Sequence, residues 1–463
     1  MEYSGVPVEI SAPPSKSLSH RALTAAALAQ GTSVIRGLSG SEDVTRTREA
    51  LAAAGAVFSQ KAPDLWEVRG LSGPLRGGGN RVLSLDMGES GTSCRLLSAV
   101  SAAGRGRFLI RGEGRMDKRP MRALTSVLET LGTRFEFYGE AGHTPFLLIA
   151  AGLDGPAGAE CAVDCSESGQ YLSGLLLAAP LSRSGLRLRP SSRYAASLPY
   201  VGLTLEVMSA FGAAFSIEAG IGGKTAAPEP ADLARAVAGS PNGARDILFA
   251  VPAGAYRATD YSVEGDWSGA SYFLAAGAVG PRAVRVSGLN PRSLQGDAVF
   301  LRLLESMGAR VETEGGGVTV FPSQLRGIRA DMGDCPDLAP TLAALATYAS
   351  GPTVITNAAH LKLKESDRIA APAEELPKVG CVVTVTDDGL IITPPEGGPR
   401  RPDDRVVFSA RDDHRMAMSL ALLGLPGRGG EGFAVRLDNP GCVAKSFPNF
   451  WQCWEKLGAA PCL

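Results

Sequence analysis

The 463 residues exceed the size at which one hydrophobic core stops growing, so two or more lobes are expected. A composition 44% hydrophobic and 20% charged, with 57 glycines and 31 prolines spread along the chain, does not indicate disorder and fits a turn-rich globular enzyme. The formal net charge of -1 excludes a global field that would recruit nucleic acid or an anionic membrane, so anions must be met by local clusters of Lys and Arg.

In chain order, one grammar recurs six times: an uncharged helix of small and apolar residues, a strand, and an amphipathic helix that ends at a glycine before another strand. "RALTAAALAQG", "TSVIRGL" and "VTRTREALAAAGAVF" make the first pass, and "TSCRLLSAVSAAG", "RFLIRGE" and "MRALTSVLETLGTRFEF" the second. "GQYLSGLLLAAPL", "GLRLRP" and "VGLTLEVMSAFGAAFSI" follow, then "GASYFLAAGAVG", "AVRVSGL" and "AVFLRLLESMGARVE". The last two passes are "LAPTLAALATYASG", "TVITNAA" and "AAPAEELPKVGCVVTV", then "HRMAMSLALLGLPG", "FAVRLDN" and "FPNFWQCWEKLGAA". The first helix of each pass has no polar face and must be enclosed on all sides. Six passes divide into three per lobe, with those helices inside and the sheets outside.

Gly220 to Gly243, "GIGGKTAAPEPADLARAVAGSPNG", interrupts this grammar and reads as a surface loop or excursion. Its "GGKT" is no phosphate loop, because the first glycine of that motif would fall on Glu218. The opening "MEYSGVPVEISAPPSK" has neither a basic n-region nor an apolar h-region, and no apolar run reaches membrane-spanning length, so a cytoplasmic protein is expected. Eight cysteines without a C-x-x-C, and four scattered histidines, offer no zinc-ligand spacing. The thiols are expected to be buried or inert in a reducing compartment.

Each uncharged helix is preceded by a polar segment: "SKSLSHR", "GESGTSCR", "SESGQY", "EGDWSGASY", "GDCPDLAP" and "ARDDHRM". Helix starts present unpaired N–H groups and a partial positive charge that suit anions, although N-capping by Ser or Asp explains any one of them alone. Lys16, Arg21, Arg115, Lys364, Arg368, Arg415 and Lys445 cluster at these starts or in nearby connections. Together they predict an anion-seeking cleft; singly, each fits a solvated or ion-paired side chain. Asp337 and Glu365 enter the same set, and a carboxylate held among cations can act as acid or base, with plain salt bridging as the competing account.

The segments "SKSLSHRAL", "GTSCRLL", "GEGRMDKRP", "SGQYLSGLL", "SLPY", "VEGDWSGASYFLAA", "LQGD", "PDLAPTLAA", "LKESDR", "DDHRMAM" and "CVAKSFP" stand in the order found in the enolpyruvyl transferase family, which the chain resembles over essentially its whole length. Among its members the resemblance is to those acting on shikimate 3-phosphate. It implies a mixed α/β fold: a two-lobed inside-out barrel, each lobe three βαβαββ repeats. One lobe would comprise 1–14 and 264–463 and the other 15–263, with crossings near 13–15 and 261–264. It further implies transfer of the enolpyruvyl group of phosphoenolpyruvate to the 5-hydroxyl, through a tetrahedral intermediate that loses phosphate, on the way to chorismate. Two small-molecule substrates carrying about five to six negative charges match the cations. No metal or cofactor, no nucleic acid and no membrane are implied, and a monomer is expected. Closure of the lobes would exclude water.

Carried over by motif, Lys16, Ser17, Arg21, Ser168, Gly169, Gln170, Ser197, Asp337, His360 and Lys364 are implied to bind shikimate 3-phosphate. Lys16, Gly91, Arg115, Gln170, Arg368, Arg415 and Lys445 are implied to bind phosphoenolpyruvate. Asp337 would accept the hydroxyl proton, and Glu365 would deliver and recover the carbon proton with help from Lys16. Glu89, Gly169 and His360 depart from the family pattern, where Asn, Ser and Asn are common. Gly91 rather than Ala implies ordinary sensitivity to glyphosate. The sister enzymes acting on UDP-N-acetylglucosamine carry Lys-Asn where this chain has Lys16-Ser17, and a Cys in the loop that reads "GEGRMDKRP" here. A silent paralogue that only binds phosphorylated metabolites is the other alternative, against which the intact Lys16, Asp337, Lys364, Glu365 and Arg415 weigh.

Overall fold

A computed structural model describes residues 5–78, 81–154, 160–221, 224–427 and 431–458. The chain divides into two compact units, one made of the residues up to Ser15 together with those from Glu264 onward, the other of Lys16–Val263. Among the described residues no helix is long and apolar enough to cross a membrane.

The uncharged runs form the helices Lys16–Leu28, Gly91–Ala102 and Gln170–Ala178 in the inserted unit, and Trp267–Val279, Ala339–Ala346 and His414–Ala421 in the other. They lie inside because they have no polar side to show: every residue of Trp267–Val279 is buried. Each of the leucines at 172, 175, 176 and 177, wholly enclosed, contributes about 1.5–3 kcal/mol relative to exposure. Hydroxyls on these helices bond back to the preceding turn, as Thr24 Oγ1 does to the His20 carbonyl at 2.7 Å and Ser271 Oγ to that of Ser268 at 2.7 Å. The amphipathic helices all end at a glycine in the left-handed region, at Gly55, Gly132, Gly212, Gly308, Gly380 and Gly458, where a side chain would be strained.

Five sheets repeat one order, a parallel pair followed by antiparallel neighbours. In one of them Val82–Asp86 runs parallel to Arg105–Arg111 with the helix Gly91–Ala102 between them in sequence. The helix Arg122–Thr130 then leads to the hairpin of Arg134–Phe137 and Phe146–Ala151, which returns antiparallel to Arg105–Arg111. This is a βαβαββ unit. The strands next to the two connections are exchanged: Val8–Ser11 precedes the helix Lys16–Leu28 in the chain but pairs with Val284–Ser287, while Asp260–Ser262 pairs with Thr32–Arg36.

The connections themselves hydrogen-bond to each other, Ser15 N to the Glu264 carbonyl at 2.8 Å and Asp266 N to that of Pro13 at 2.7 Å. Gly265 is required there, because a Cβ would lie 2.4 Å from the Gly288 carbonyl oxygen. Gln295, which is buried, fastens the turn, receiving Trp267 N on Oε1 at 3.1 Å and giving Nε2 to the Gly265 carbonyl at 2.8 Å.

Two sequence expectations are corrected. "FAVRLDN" is not a strand; its Leu437 makes one isolated bridge, to Phe408, and among the described residues no strand follows the helix Phe450–Glu455 to pair beside it. The 220–243 excursion is not a loop. Ser216–Ile221 pairs with Lys224–Ala226 and extends the sheet of Glu160–Val163, Leu186–Pro190 and Ile247–Val251 to five strands, after which a turn at Pro230–Asp232 starts the short helix Leu233–Ala238. Ile217 and Ala219 are buried at alternate positions, and Leu233 and Ala236 at helical spacing, a pattern hidden by the surrounding Gly, Ala and Pro. Gly222 and Gly223 of "GGKT" lie outside the described residues.

Replacing Gln295 by Leu would orphan the buried N–H of Trp267 at about 1–3 kcal/mol and strip the half-buried Gly265 carbonyl of its donor. Urea unfolding of Gln295→Leu should therefore show a clearly lower midpoint, and an unchanged midpoint would remove Gln295 from this role.

Candidate active site

In the inserted unit Lys16 opens its helix with Nζ 2.8 Å from Asp43 Oδ2, both side chains largely buried. The carbonyl of Asp43 receives Ser93 Oγ at 3.2 Å, and Ser93 joins Thr47 at 2.7 Å and Ser90 at 2.7 Å. His20 completes this buried polar chain with Nδ1 2.8 Å from Thr47 Oγ1. Burial pushes His20 down to about 3 despite Asp43, so the ring is neutral near pH 7. The first turns of Lys16–Leu28 and Gly91–Ala102 are thus tied together by side chains.

Arg21 is a buried cation whose hydrogen-bond acceptors are neutral: Thr204 Oγ1 at 2.8 Å, the Ser17 carbonyl at 2.8 Å, the Tyr200 carbonyl at 3.0 Å and Ser173 Oγ at 3.4 Å. Burial pushes its guanidinium down to about 10, with Tyr200 and Tyr261 opposing. A positive charge enclosed this way favours an anionic ligand. Gln170 has both ends of its amide fixed, Oε1 by Arg95 Nη1 at 2.7 Å and Nε2 on Thr92 Oγ1 at 2.9 Å, and Arg95 also lies 5.2 Å over the Tyr171 ring.

At Gly91 a Cβ would lie 2.5 Å from Nη2 of Arg119, so the bare backbone gives that guanidinium its place. Arg115, the residue expected from the motif, is exposed in the turn Gly114–Lys118, whereas Arg119 is buried. Glu89 folds its carboxylate over Gly114, where a Cβ would meet Oε1 at 2.1 Å. Ser168 Oγ receives Gln170 N at 3.3 Å, and Gly169 opens the helix Gln170–Ala178. Close by, Ser197 holds a φ of 57°, a left-handed conformation uncommon for serine. The Gly169 departure has a packing cause: a Cβ would come within 2.6 Å of the Ala196 carbonyl oxygen.

In the other unit the site residues converge on Arg368, 1% exposed. Its Nε and Nη2 grip Asp413 at 2.7 and 3.0 Å; Nη1 reaches Asp337 Oδ1 at 2.8 Å and Nη2 also reaches Glu365 Oε2 at 2.9 Å. The second oxygen of Asp337 takes Arg415 Nη2 at 2.6 Å. Asp413 caps the helix His414–Ala421 through Arg415 N at 2.9 Å and takes Ser366 Oγ at 2.8 Å. It follows two residues, Arg411 and Asp412, with φ of 54° and 55°. Burial raises the carboxyl of Asp337, but Arg415, Arg368 and Lys364 outweigh it and hold Asp337 well below the usual carboxylate range. Burial opposes the charge on Arg368 as well, and Asp413, Glu365 and Asp337 reverse that effect.

His360 is buried in the turn Ala359–Leu363, which leads into Lys364; burial and Lys364 push it down to about 4, so near pH 7 it offers a neutral ring. Lys445 is buried at the end of the turn Pro440–Lys445, packed on the helix His414–Ala421. The expected cluster of cations is therefore partly self-neutralised, with Lys16, Arg368 and Arg415 each in contact with an acid. Sequence reasoning missed Asp43, Arg95, Arg119, Asp297 and Asp413. Arg95, Arg119, Asp297 and Asp413 stand inside quoted motifs, and for Arg95 the available signal was a single charge in an otherwise uncharged helix. Asp297 is wholly buried and accepts from Ser268 Oγ; burial and then Asp337 push it up to about 7.

The chain is similar to known proteins over nearly all of its length. The family model described as EPSP synthase (3-phosphoshikimate 1-carboxyvinyltransferase) matches residues 3–229 and 246–454, leaving out the segment that holds the helix Leu233–Ala238. A 3-phosphoshikimate 1-carboxyvinyltransferase of Syntrophobacter fumaroxidans is 38% identical over 458 residues, 98% of each chain. One from Methanosphaerula palustris is 38% identical over 97% of each. A solved structure of EPSP synthase from Acinetobacter baumannii superposes with a TM-score of 0.72 at 26% identity, covering 98% of this chain and 96% of that one.

Two outcomes follow from this geometry. The folded state raises Asp297 to about 7 from an unfolded value near 3.9, so the stability it lends is complete in acid and is lost as pH rises from about 4 to about 7. Asp297→Asn should match the parent near pH 4 and exceed it above pH 7, by at most about 4 kcal/mol in urea unfolding, and a pH-independent difference would contradict the assignment. Gly169→Ser, though it restores a residue common in the family, should lower stability by about 1–3 kcal/mol through overpacking against Ala196; unaltered stability would mean the backbone yields there.

Proposed function

The chain belongs to the EPSP synthase family, and from that premise we propose which of its residues carry the reaction. The protein is a transferase of aromatic amino acid biosynthesis that moves the carboxyvinyl group of phosphoenolpyruvate to the 5-hydroxyl of 3-phosphoshikimate and releases phosphate. That acceptor is favoured over UDP-N-acetylglucosamine.

Lys16, Ser17, Arg21, Ser168, the N–H of Gly169, Gln170, Ser197, His360 and Lys364 hold 3-phosphoshikimate. Lys16, Gly91, Arg115, Gln170, Arg368, Arg415 and Lys445 hold phosphoenolpyruvate, and the buried Arg119 against Gly91 joins them. Glu365 gives a proton to the methylene carbon, which makes C2 electrophilic. The 5-hydroxyl adds to C2 while Asp337 accepts its proton. The C–O bond to phosphate then breaks, the departing phosphate takes up the proton held by Asp337, and the methyl group returns a proton to Glu365 as the double bond re-forms. Fixed guanidinium and ammonium groups meet the charge that develops on the phosphate. The observation that supports these roles most is that Asp337 and Glu365, the two carboxylates assigned to proton transfer, meet one guanidinium at 2.8 and 2.9 Å. The protein works as a monomer and in the cytoplasm, the latter supported by free thiols at all seven described cysteines.

Phosphate release from phosphoenolpyruvate should require 3-phosphoshikimate and fail with UDP-N-acetylglucosamine; the reverse preference would overturn the reading. Asp337→Ala should retain ligand binding and lose about two to four orders of magnitude in turnover, the range of a general base. Loss of binding alone would move Asp337 from catalysis to recognition. Glyphosate at millimolar concentration should inhibit, and an absence of inhibition would contradict the role given to Gly91.

A further inference from the structure

Asp337 accepts a charge-assisted hydrogen bond on each oxygen, from Arg368 at 2.8 Å and from Arg415 at 2.6 Å. A carboxylate held at both oxygens is a weak base, because the charged form is the one stabilised. The same guanidinium groups are assigned to the anionic groups of phosphoenolpyruvate, and an N–H aimed at a carboxylate cannot make an equally strong bond to a phosphate oxygen. Arg368 cannot leave to resolve the conflict, since Asp413 anchors its inner edge at 2.7 and 3.0 Å, and Ser366 steadies Asp413 at 2.8 Å. Only the outer edge, Nη1 and Nη2 toward Asp337 and Glu365, is open to a change of partner. Arg415 has its backbone fixed by Asp413, and its Nη2 is bonded to Asp337.

Resting on the reading above, we propose that the phosphoenolpyruvate anion takes over the outer edges of Arg368 and Arg415 and thereby releases Asp337 to act as a base. Binding of one substrate then activates the group that deprotonates the other. Asp413 is the positioning residue of this exchange, keeping Arg368 in place while its partners change. Linkage makes the effect reciprocal: whatever phosphoenolpyruvate does to the basicity of Asp337, the charge on Asp337 does to the affinity for phosphoenolpyruvate.

The test is calorimetric titration of the full chain with phosphoenolpyruvate, and separately with inorganic phosphate, without 3-phosphoshikimate. Asp337→Asn should bind both about five- to a hundredfold more tightly than the unmutated protein, the usual span of such coupling. Unchanged or weaker binding would overturn the proposal. Glu365→Gln, which removes the other outer partner of Arg368 and leaves Asp337 in place, should tighten binding by a smaller factor, and it decides the matter should Asp337→Asn fail to fold. Most of the gain should survive at about 1 M salt, where charges are screened beyond about 3 Å; a gain abolished there would be a general field effect and would also overturn it. Phosphate release by the unmutated protein tests the underlying reading separately.

Discussion

A guanidinium enclosed by protein must have its N–H groups met, and Arg368 is met by the carboxylates of Asp413, Glu365 and Asp337. Leaving such a charge with a missing partner costs about 3–5 kcal/mol, so the elements that carry these acids are fixed relative to one another by electrostatics as much as by packing. The demand reaches the backbone: Arg411 and Asp412 adopt left-handed φ, and Asp413 then both caps the helix His414–Ala421 and grips Arg368. Arg415, two residues later on the same helix, reaches the far oxygen of Asp337. One ion-pair network thus sets a helix start, the two arginines proposed to bind the substrate anion and both candidate proton carriers.

The inserted unit meets the same need differently. Lys16 has an acid at Asp43, while Arg21 is surrounded by hydroxyls and carbonyls that satisfy its N–H groups without cancelling its charge. On the proposed assignment a ligand anion would meet an uncompensated cation at Arg21, where it would add charge neutralisation, and a compensated one at Arg368, where it would have to compete. The first arrangement favours affinity. The second would make affinity depend on the state of Asp337, which suits the proton-accepting role proposed for it.

Most of the fold was legible because each step is a local pattern with a physical cause. Helices without a polar face must be interior, and glycines at helix ends mark left-handed stops, as all six at Gly55 to Gly458 do. The hairpin and short helix at 216–238 were not legible, since alanine, glycine and proline carry little periodic contrast. Nor was the reduction of "FAVRLDN" to a single bridge, because a strand needs a neighbour and the sequence does not say whether one is present. Motif placement brought together Asp337, Glu365, Arg368 and Arg415. It did not distinguish the exposed Arg115 from the buried Arg119 four residues on, since both are arginines of one loop and only the packing on Gly91 separates them. The partners of the cations were equally hidden: Asp43 and Asp413 look like ordinary helix-start acids until the chain is folded.

The contact between Arg415 Nη2 and Asp337 Oδ2 carries the central claim most directly. A crystal structure of the full chain with phosphoenolpyruvate and 3-phosphoshikimate bound measures it. The account predicts that the 2.6 Å separation opens beyond hydrogen-bond reach, about 3.5 Å, while Arg368 stays on Asp413 and turns its outer edge to the ligand. A bound complex in which both guanidinium groups still grip Asp337 would contradict it.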